Sequence, residues 1–247
     1  MPRKPKTGSI ADQHAAPGGG AAVDKAMTLL GAFRAGDQSL GLSDLAQRTR
    51  LYKSTALRLL ASLEHAHLVQ RRDDGRYALG SEVARLHSVY LASFALDQVV
   101  LPVLRELVAA TGESAAYHVL QGQGAQQQRV CLYRVDSPQP VRDHIRAGDV
   151  LPTDRGSGAR VLRAFSPQSG AAASTSDRQI NATVREQGYF AAIGDRLAQV
   201  AGVSAPVFKA DGTLAGALTL TMPAERYQAS HVLPVLRLAR KLGTLVG

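Results

Sequence analysis

The run Lys53-Ser54-Thr55-Ala56-Leu57-Arg58 gathers groups that could hold a nucleic acid. An ammonium and two hydroxyls are followed, one helical turn later, by a guanidinium. Hydroxyls bond phosphate oxygens or base edges, and an arginine fork matches the two acceptors of guanine in the major groove. On a helix the Arg58 side chain leans back toward the N-terminus, the end that enters a groove. Lys53, Ser54, Thr55, Leu57 and Arg58 would then share one approach surface. Arg71, Arg72 and Arg76 cluster around Asp74-Gly75, a two-residue hairpin turn signal, and would neutralise phosphates. The competing reading of the stretch 51–69 is an amphipathic surface helix with a solvated far face.

A second group, Arg155-Gly156-Ser157-Gly158-Ala159, ends a Pro/Gly-rich loop and opens a helix. Backbone N–H groups at a helix start favour an anion, and glycines permit its close approach. A plain helix start with Ser157 as cap is the alternative. Tyr117, Thr219 and Thr221 fall on strand-like stretches and could turn polar groups into the same pocket, or pack within the sheet, since alternate strand residues face opposite ways. Cys131 and His118 occupy neighbouring predicted strands, but a lone strand cysteine usually packs. There is no G-x-S-x-G elbow, H-E-x-x-H or P-loop, and neither glycine-rich stretch leads from a strand into a helix. No catalytic residue, metal site or cofactor is expected.

The elements that would position these groups follow from periodicity. The first 20 residues lack apolar periodicity and read as a flexible arm, basic at Arg3, Lys4 and Lys6, either solvated or touching DNA. Val23, Ala26, Met27, Leu30 and Phe33 recur at helical spacing. Ser43, a plausible N-cap counted among the DNA-facing residues, opens a second short helix. Only Arg50 to Tyr52 separate it from the third, whose core face is Leu59, Leu60 and Leu63. A basic hairpin follows, so 21–80 has the element order of a winged helix. A helix from Ser81 to Asp97 reads as a spacer. From residue 98 onward the pattern is α+β: strands at SAAYHVL and RVCLYRVD, a third at PVRDHIRAG, a low-complexity stretch at 166–177, a hairpin about Asp211-Gly212 and a final helix over 224–246. Strands bounded by helices suggest one antiparallel sheet with helices packed on it.

Composition narrows the class. Of 247 residues 45% are hydrophobic and 20% charged, ordinary for a globular chain, and the formal net charge of +9 favours polyanionic partners. Residues 1–90 carry 13 Lys/Arg against 8 Asp/Glu, so the charge is not confined to one end. One cysteine excludes an internal disulfide, and no Cys/His spacing suits zinc. No apolar run approaches the ~20 residues that span a bilayer, so no membrane partner and a cytoplasmic location are expected.

The stretch LSDLAQRTRLYKSTALRLLASLEHAHLVQRRDDGRYALG resembles the DNA-binding domain of the IclR family of bacterial transcription regulators. The resemblance rests on Lys53-Ser54-Thr55, Arg58-Leu59-Leu60 and Tyr77-Ala78-Leu79-Gly80. It extends through LPTDRGSGARVLRAF and GVSAPVFKADGTLAGALTLTMPAERY to the C-terminus. It implies an N-terminal winged helix-turn-helix joined by a helix to a GAF-like effector domain. It also implies a dimer or tetramer on operator DNA and control by a small effector, often a carboxylate or aromatic acid. The chain departs from the family pattern at Leu57, at Gly158-Ala159 before Arg160, and at Ala192-Ile193, with Asp195 beyond them. Gly202 stands where relatives often have cysteine, and 166–177 is short. A GAF-like enzyme or protein-binding module with a dimerising basic N-terminus is the rival reading.

Overall fold

Leu29, Leu45, Leu60 and Leu63 close on one another at the centre of the N-terminal unit, each at most 4% exposed. In this computed structural model the described residues are 8–34, 36–94, 96–122, 127–166 and 174–246. The chain divides into two units, 1–94 and 95–247.

In the first unit, α2 (Ala21–Leu30), α3 (Leu42–Thr49) and α4 (Lys53–His65) precede a hairpin of β1 (Val69–Arg71) and β2 (Tyr77–Leu79). Ala56, Leu60 and Leu63, at i, i+4 and i+7, bury one stripe of α4 against Leu29, Leu45 and Tyr77. Each fully buried leucine stabilises the unit by roughly 1.5–3 kcal/mol. The α3–α4 corner is tight because Arg50 adopts a left-handed conformation (φ 55°) and Leu51 turns back into the core. Arg48 locks α3 in place, donating to the Ala32 carbonyl (2.9 Å) and pairing with Asp37.

Local readings are corrected in several places. Gly41, not Ser43, is the N-cap of α3, with the Asp44 carboxylate accepting from the Gly41 N–H (2.9 Å). The wing turn is a three-residue loop: Arg72 N–H bonds the Arg76 carbonyl and Gly75 takes φ 77°, the glycine-favoured position of such loops. Within the stretch read as an arm, α1 (Ile10–Gln13) is a single turn, fixed by reciprocal Ser9–Asp12 bonds and an Asp12–Lys25 ion pair (3.1 Å). Arg3, Lys4 and Lys6 lie outside the described residues. The helix after the wing, α5 (Ser81–Phe94), leaves Leu86 and Val89 half exposed.

The second unit is a six-stranded antiparallel sheet in the order β5-β4-β3-β8-β7-β6. Its strands are β3 (Ser114–Gln121), β4 (Gln128–Val135), β5 (Val150–Leu151), β6 (Phe190–Ile193), β7 (Val200–Phe208) and β8 (Leu214–Pro223). One face is apolar: Tyr117, Val203, Ala205, Leu218 and Leu220 pack against α6 (Leu96–Thr111) and α9 (Val232–Gly243). The alternating residues His118, Ser204 and Thr219 point to the other face, where α7 (Ser157–Phe165) and α8 (Thr175–Gln187) lie. A bulge skips Leu132 in the β3–β4 register, pairing His118 with Cys131 and Tyr117 with Tyr133. The stretch PVRDHIRAG forms no strand; β5 follows it instead. Two 3-10 turns occupy 224–231, so the last helix begins at Val232. Ser174 caps α8, which therefore starts inside the low-complexity stretch; residues 167–173 of that stretch lie outside the described set.

Candidate functional site

The exposed side of α4 combines an uncapped helix start with exposed cations. Tyr52 occupies its N-cap position without a side-chain hydrogen bond to the helix start, so α4 has no side-chain cap. Uncapped N–H groups and the positive end of the helix dipole both favour phosphate. Lys53, Ser54 and Arg58 are exposed and Thr55 is half-buried beside them. Lys53 and Arg58 have no ionic partner among the described residues, so both cations can turn to a ligand at no cost in internal contacts. Leu57 is 46% exposed on the same surface, an apolar group able to meet a thymine methyl. Ser43 is exposed in the first turn of α3.

The three wing arginines differ. Arg72 is exposed, with only its backbone engaged in the hairpin. Arg71 lies 5.9 Å from the Tyr77 ring centroid, a stacking that fixes its stem. Arg76 is tied down, donating to the Ser39 hydroxyl (3.0 Å) and carbonyl (2.8 Å). It therefore serves the attachment of the wing.

In the C-terminal unit, α7 meets the polar side of the sheet around a cavity of about 20 Å³, room for a single water. His118, Arg129, Ser157, Asp195, Arg196 and Thr221 are among its lining residues. Gly158 is there for close approach: a Cβ on it would fall 2.9 Å from Arg129 Nη1 and 3.0 Å from Thr219 Oγ1. A relay of hydroxyls runs behind it. His118 Nδ1 is 3.1 Å from Thr219 Oγ1, and Ser204 Oγ is 2.8 Å from Thr219 Oγ1 and 2.9 Å from Ser157 Oγ. Burial, reinforced by the positive charges of Arg129, Arg134 and Arg196, holds the His118 pKa well below its ordinary value, so the ring is neutral at pH 7. Its Nε2 has no partner among the described residues, nor does the buried Thr221 hydroxyl.

Arg129 is the unusual group. It is 2% exposed, and its Nε and Nη2 have no hydrogen-bond partner among the described residues. Burial, then repulsion from Arg196, pushes its pKa down to about 10, which leaves it charged at neutral pH. A buried charge without a partner is costly, and cavities that keep one serve to hold a counter-charge.

The α7 N-terminus itself is not vacant. The Asp195 carboxylate accepts from the Gly156 N–H (2.5 Å) and from Arg160 Nε (3.1 Å) and Nη2 (2.9 Å). Gly156 is the N-cap, and Ser157, the first helical residue, directs its hydroxyl to Ser204 rather than capping.

The structure therefore brings Gly156, Ser157, Gly158, Thr219 and Thr221 to one place, leaves Ala159 buried in α7 without lining the cavity, and separates two other expected members. Tyr117 lies on the apolar face against α6 and α9. Arg155 is exposed, 3.2 Å from Asp154. Arg129, Arg196 and Ser204 were not anticipated. One sequence signal was available for Arg129: it shares strand parity with Cys131 in an otherwise apolar run. Cys131 does not form a nucleophilic pair with His118. Its thiol donates to the Tyr133 carbonyl (3.7 Å), and burial pushes its pKa up to about 12.

An IclR helix-turn-helix domain model matches residues 22–73. The glycerol operon regulatory protein of Streptomyces coelicolor is 29% identical over 220 residues, covering 83% of this chain and 85% of that protein. The probable transcriptional regulator SauR of Cupriavidus necator is 30% identical over 60% of this chain and 57% of its own length. Among solved structures, an IclR transcriptional regulator from Silicibacter sp. TM1040 superposes with a TM-score of 0.75 at 28% identity, over 90% of this chain and 96% of that one. An IclR homologue from Microbacterium hydrocarbonoxydans complexed with 4-hydroxybenzoate shares the fold (TM-score 0.76, 22% identity, 91% and 98% covered). The named relatives are regulators rather than enzymes. With the winged helix, the helix-flanked sheet and these relatives agreeing, the chain carries an IclR-type helix-turn-helix domain and is similar over most of its length to IclR-family transcriptional regulators.

Proposed function

We propose that this regulator binds operator DNA sequence-specifically through α4 and the wing, and that a small carboxylate-type anion in the C-terminal cavity controls it. The observation that carries the DNA reading is the uncapped start of α4 beside unpaired, exposed Lys53 and Arg58. In this reading Ser54, Thr55 and Arg58 meet base edges, Leu57 meets an apolar one, and Lys53, Arg71 and Arg72 meet phosphates. Ser43 and Arg76 stand at the margin of that surface. Effector control is supported by the buried guanidinium of Arg129, unpartnered at Nε and Nη2 among the described residues, beside Gly156 and Gly158, with Ser157 also on the cavity wall and Ala159 next along α7. Thr219 and Thr221 supply hydroxyls. The bound 4-hydroxybenzoate of the Microbacterium homologue is a precedent in that protein for a small acid on this fold. The regulator acts as a homo-oligomer in this reading, with exposed Leu86 and Val89 of α5 as candidate contacts.

The test is a footprint over DNA upstream of its own coding region, repeated across a salt series and with small acids added. Neutralising several phosphates requires affinity to fall steeply between about 50 and 200 mM salt. Salt-insensitive binding, or no protected DNA, refutes the DNA reading. Indifference of the footprint to every acid tested refutes the effector reading.

A further inference from the structure

The charges around the cavity do not balance. Arg134 is matched by Asp143 (2.5 Å) and Asp136 (2.6 Å). Arg160 is matched by Asp195 and Asp177, and Arg163 lies 3.6 Å from Asp177. Two guanidiniums are left over. Arg129 has no carboxylate, and Arg196 comes only within 3.7 Å of Asp143, which Arg134 already holds. The Arg129 guanidinium and the Arg196 stem meet at one point: a Cβ on Gly156 would lie 3.5 Å from Arg129 Nη2 and 3.4 Å from Arg196 Cβ, and Arg196 also lines the cavity. His118 adds no charge, being neutral, but it offers an unpartnered Nε2, and Thr221 an unpartnered hydroxyl, to the same space.

We infer that the ligand of this cavity is a small, oxygen-rich dianion, such as a phosphate monoester or a short dicarboxylate, held between Arg129 and Arg196. The inference rests on the effector site proposed above and sharpens its ligand. Buried Arg129 and half-buried Arg196, whose Nη2 has no hydrogen-bond partner among the described residues, offer two places for negative charge, and a monocarboxylate leaves one of them unmet. Arginine forks also match phosphate and carboxylate oxygens in pairs. Ile145, Ala192, Val200 and Ala201 supply apolar wall, with no Phe, Tyr or Trp among the lining residues to stack on a benzoate. At about 20 Å³ the space must widen to admit such a ligand. The wall that would have to yield in this proposal is the segment after β6 that carries Arg196, where Gly194 and Leu197 to Gln199 are exposed.

Calorimetric titration of the full chain tests this at about pH 7.5, where phosphate monoesters are largely dianionic. The probes are malonate, succinate, inorganic phosphate and ethyl phosphate, against propionate, butyrate and benzoate. Dianions are expected to bind about tenfold or more tighter than the monocarboxylates of matched length. Arg196→Met should cost the dianions roughly ten- to a hundredfold while leaving monocarboxylates within about threefold, so the preference collapses. Arg129→Met should abolish binding of both, which separates this site from anions held on the basic DNA-binding unit. Native amide protection of β7 and β8 in each variant shows that the unit is folded. Monocarboxylates binding as tightly as dianions, with Arg129 still required, overturn the dianion and leave the effector site standing. Binding that survives Arg129→Met, or no binding by any probe, overturns both.

Discussion

Replacing Arg129 by methionine should stabilise the ligand-free protein while destroying its response to anions. Methionine keeps most of the aliphatic length of arginine, so the packing loss is small. The charge is the larger quantity. Burial holds the Arg129 pKa down at about 10, between two and three powers of ten below its ordinary value. At about 1.4 kcal/mol per power of ten, this is roughly 3 kcal/mol against the charged form. The direction follows from linkage. A base whose folded-state pKa is depressed destabilises the fold at every pH below that value, and the penalty fades only as pH rises through about 10. At pH 7 the whole cost is therefore present. Allowing for imperfect repacking, Arg129→Met should raise the stability of the C-terminal unit by about 1–3 kcal/mol. The chain has no tryptophan, and its two units need not unfold together. Hydrogen exchange of the β3, β4 and β8 amides is therefore the suitable readout, because it reports this unit alone. Equal or lower protection in Arg129→Met would mean that the guanidinium is compensated in the unliganded protein. The argument that it waits for a ligand would then fail.

Further outcomes are expected from other positions. Arg58→Ala should reduce preference for the operator over random DNA by about 1–3 kcal/mol, with folding unchanged because Arg58 is exposed. Equal losses on both DNAs in a competition footprint would make it a phosphate contact. Gly158→Val places branched carbons onto Arg129 and Thr219 and should abolish the acid response while sparing operator binding; a surviving response removes this helix start from the site. Unit stability should fall as pH drops below about 6.5, because His118 stays neutral in the fold but protonates when unfolded. His118→Gln should flatten that dependence in hydrogen exchange, and an unchanged slope would assign it to other groups.

Much of the N-terminal unit was legible in sequence because its signals are local. The i, i+4, i+7 stripe of α4, the short gap before it and a glycine-bearing turn between two strand-like runs are all read within a few residues. Even there, helix caps escaped: Asp44 reaches back to Gly41 and displaces Ser43 from that role, a choice between neighbours that composition does not rank. In the C-terminal unit, strands and helices were found but their faces were not. The β-bulge at Leu132 puts Tyr133 opposite Tyr117 on the apolar side while Cys131 and Arg129 stay with His118, so parity counted along the chain cannot be carried across it.

The sequence by itself determined the order of the elements, the amphipathic stripes and the free polar face of α4, because these depend on propensity and spacing within a segment. Only the tertiary structure decided the cavity of the C-terminal unit. Arg129 on β4, Arg196 after β6, His118 on β3 and Gly158 on α7 come from four separate segments. Whether Arg129 is paired or alone depends on where the carboxylates of Asp143 and Asp195 are spent, on Arg134 and Arg160 respectively. That allocation is a property of the packed fold: a charge is unpartnered only relative to every group that could have reached it, and reach is set by three-dimensional distance.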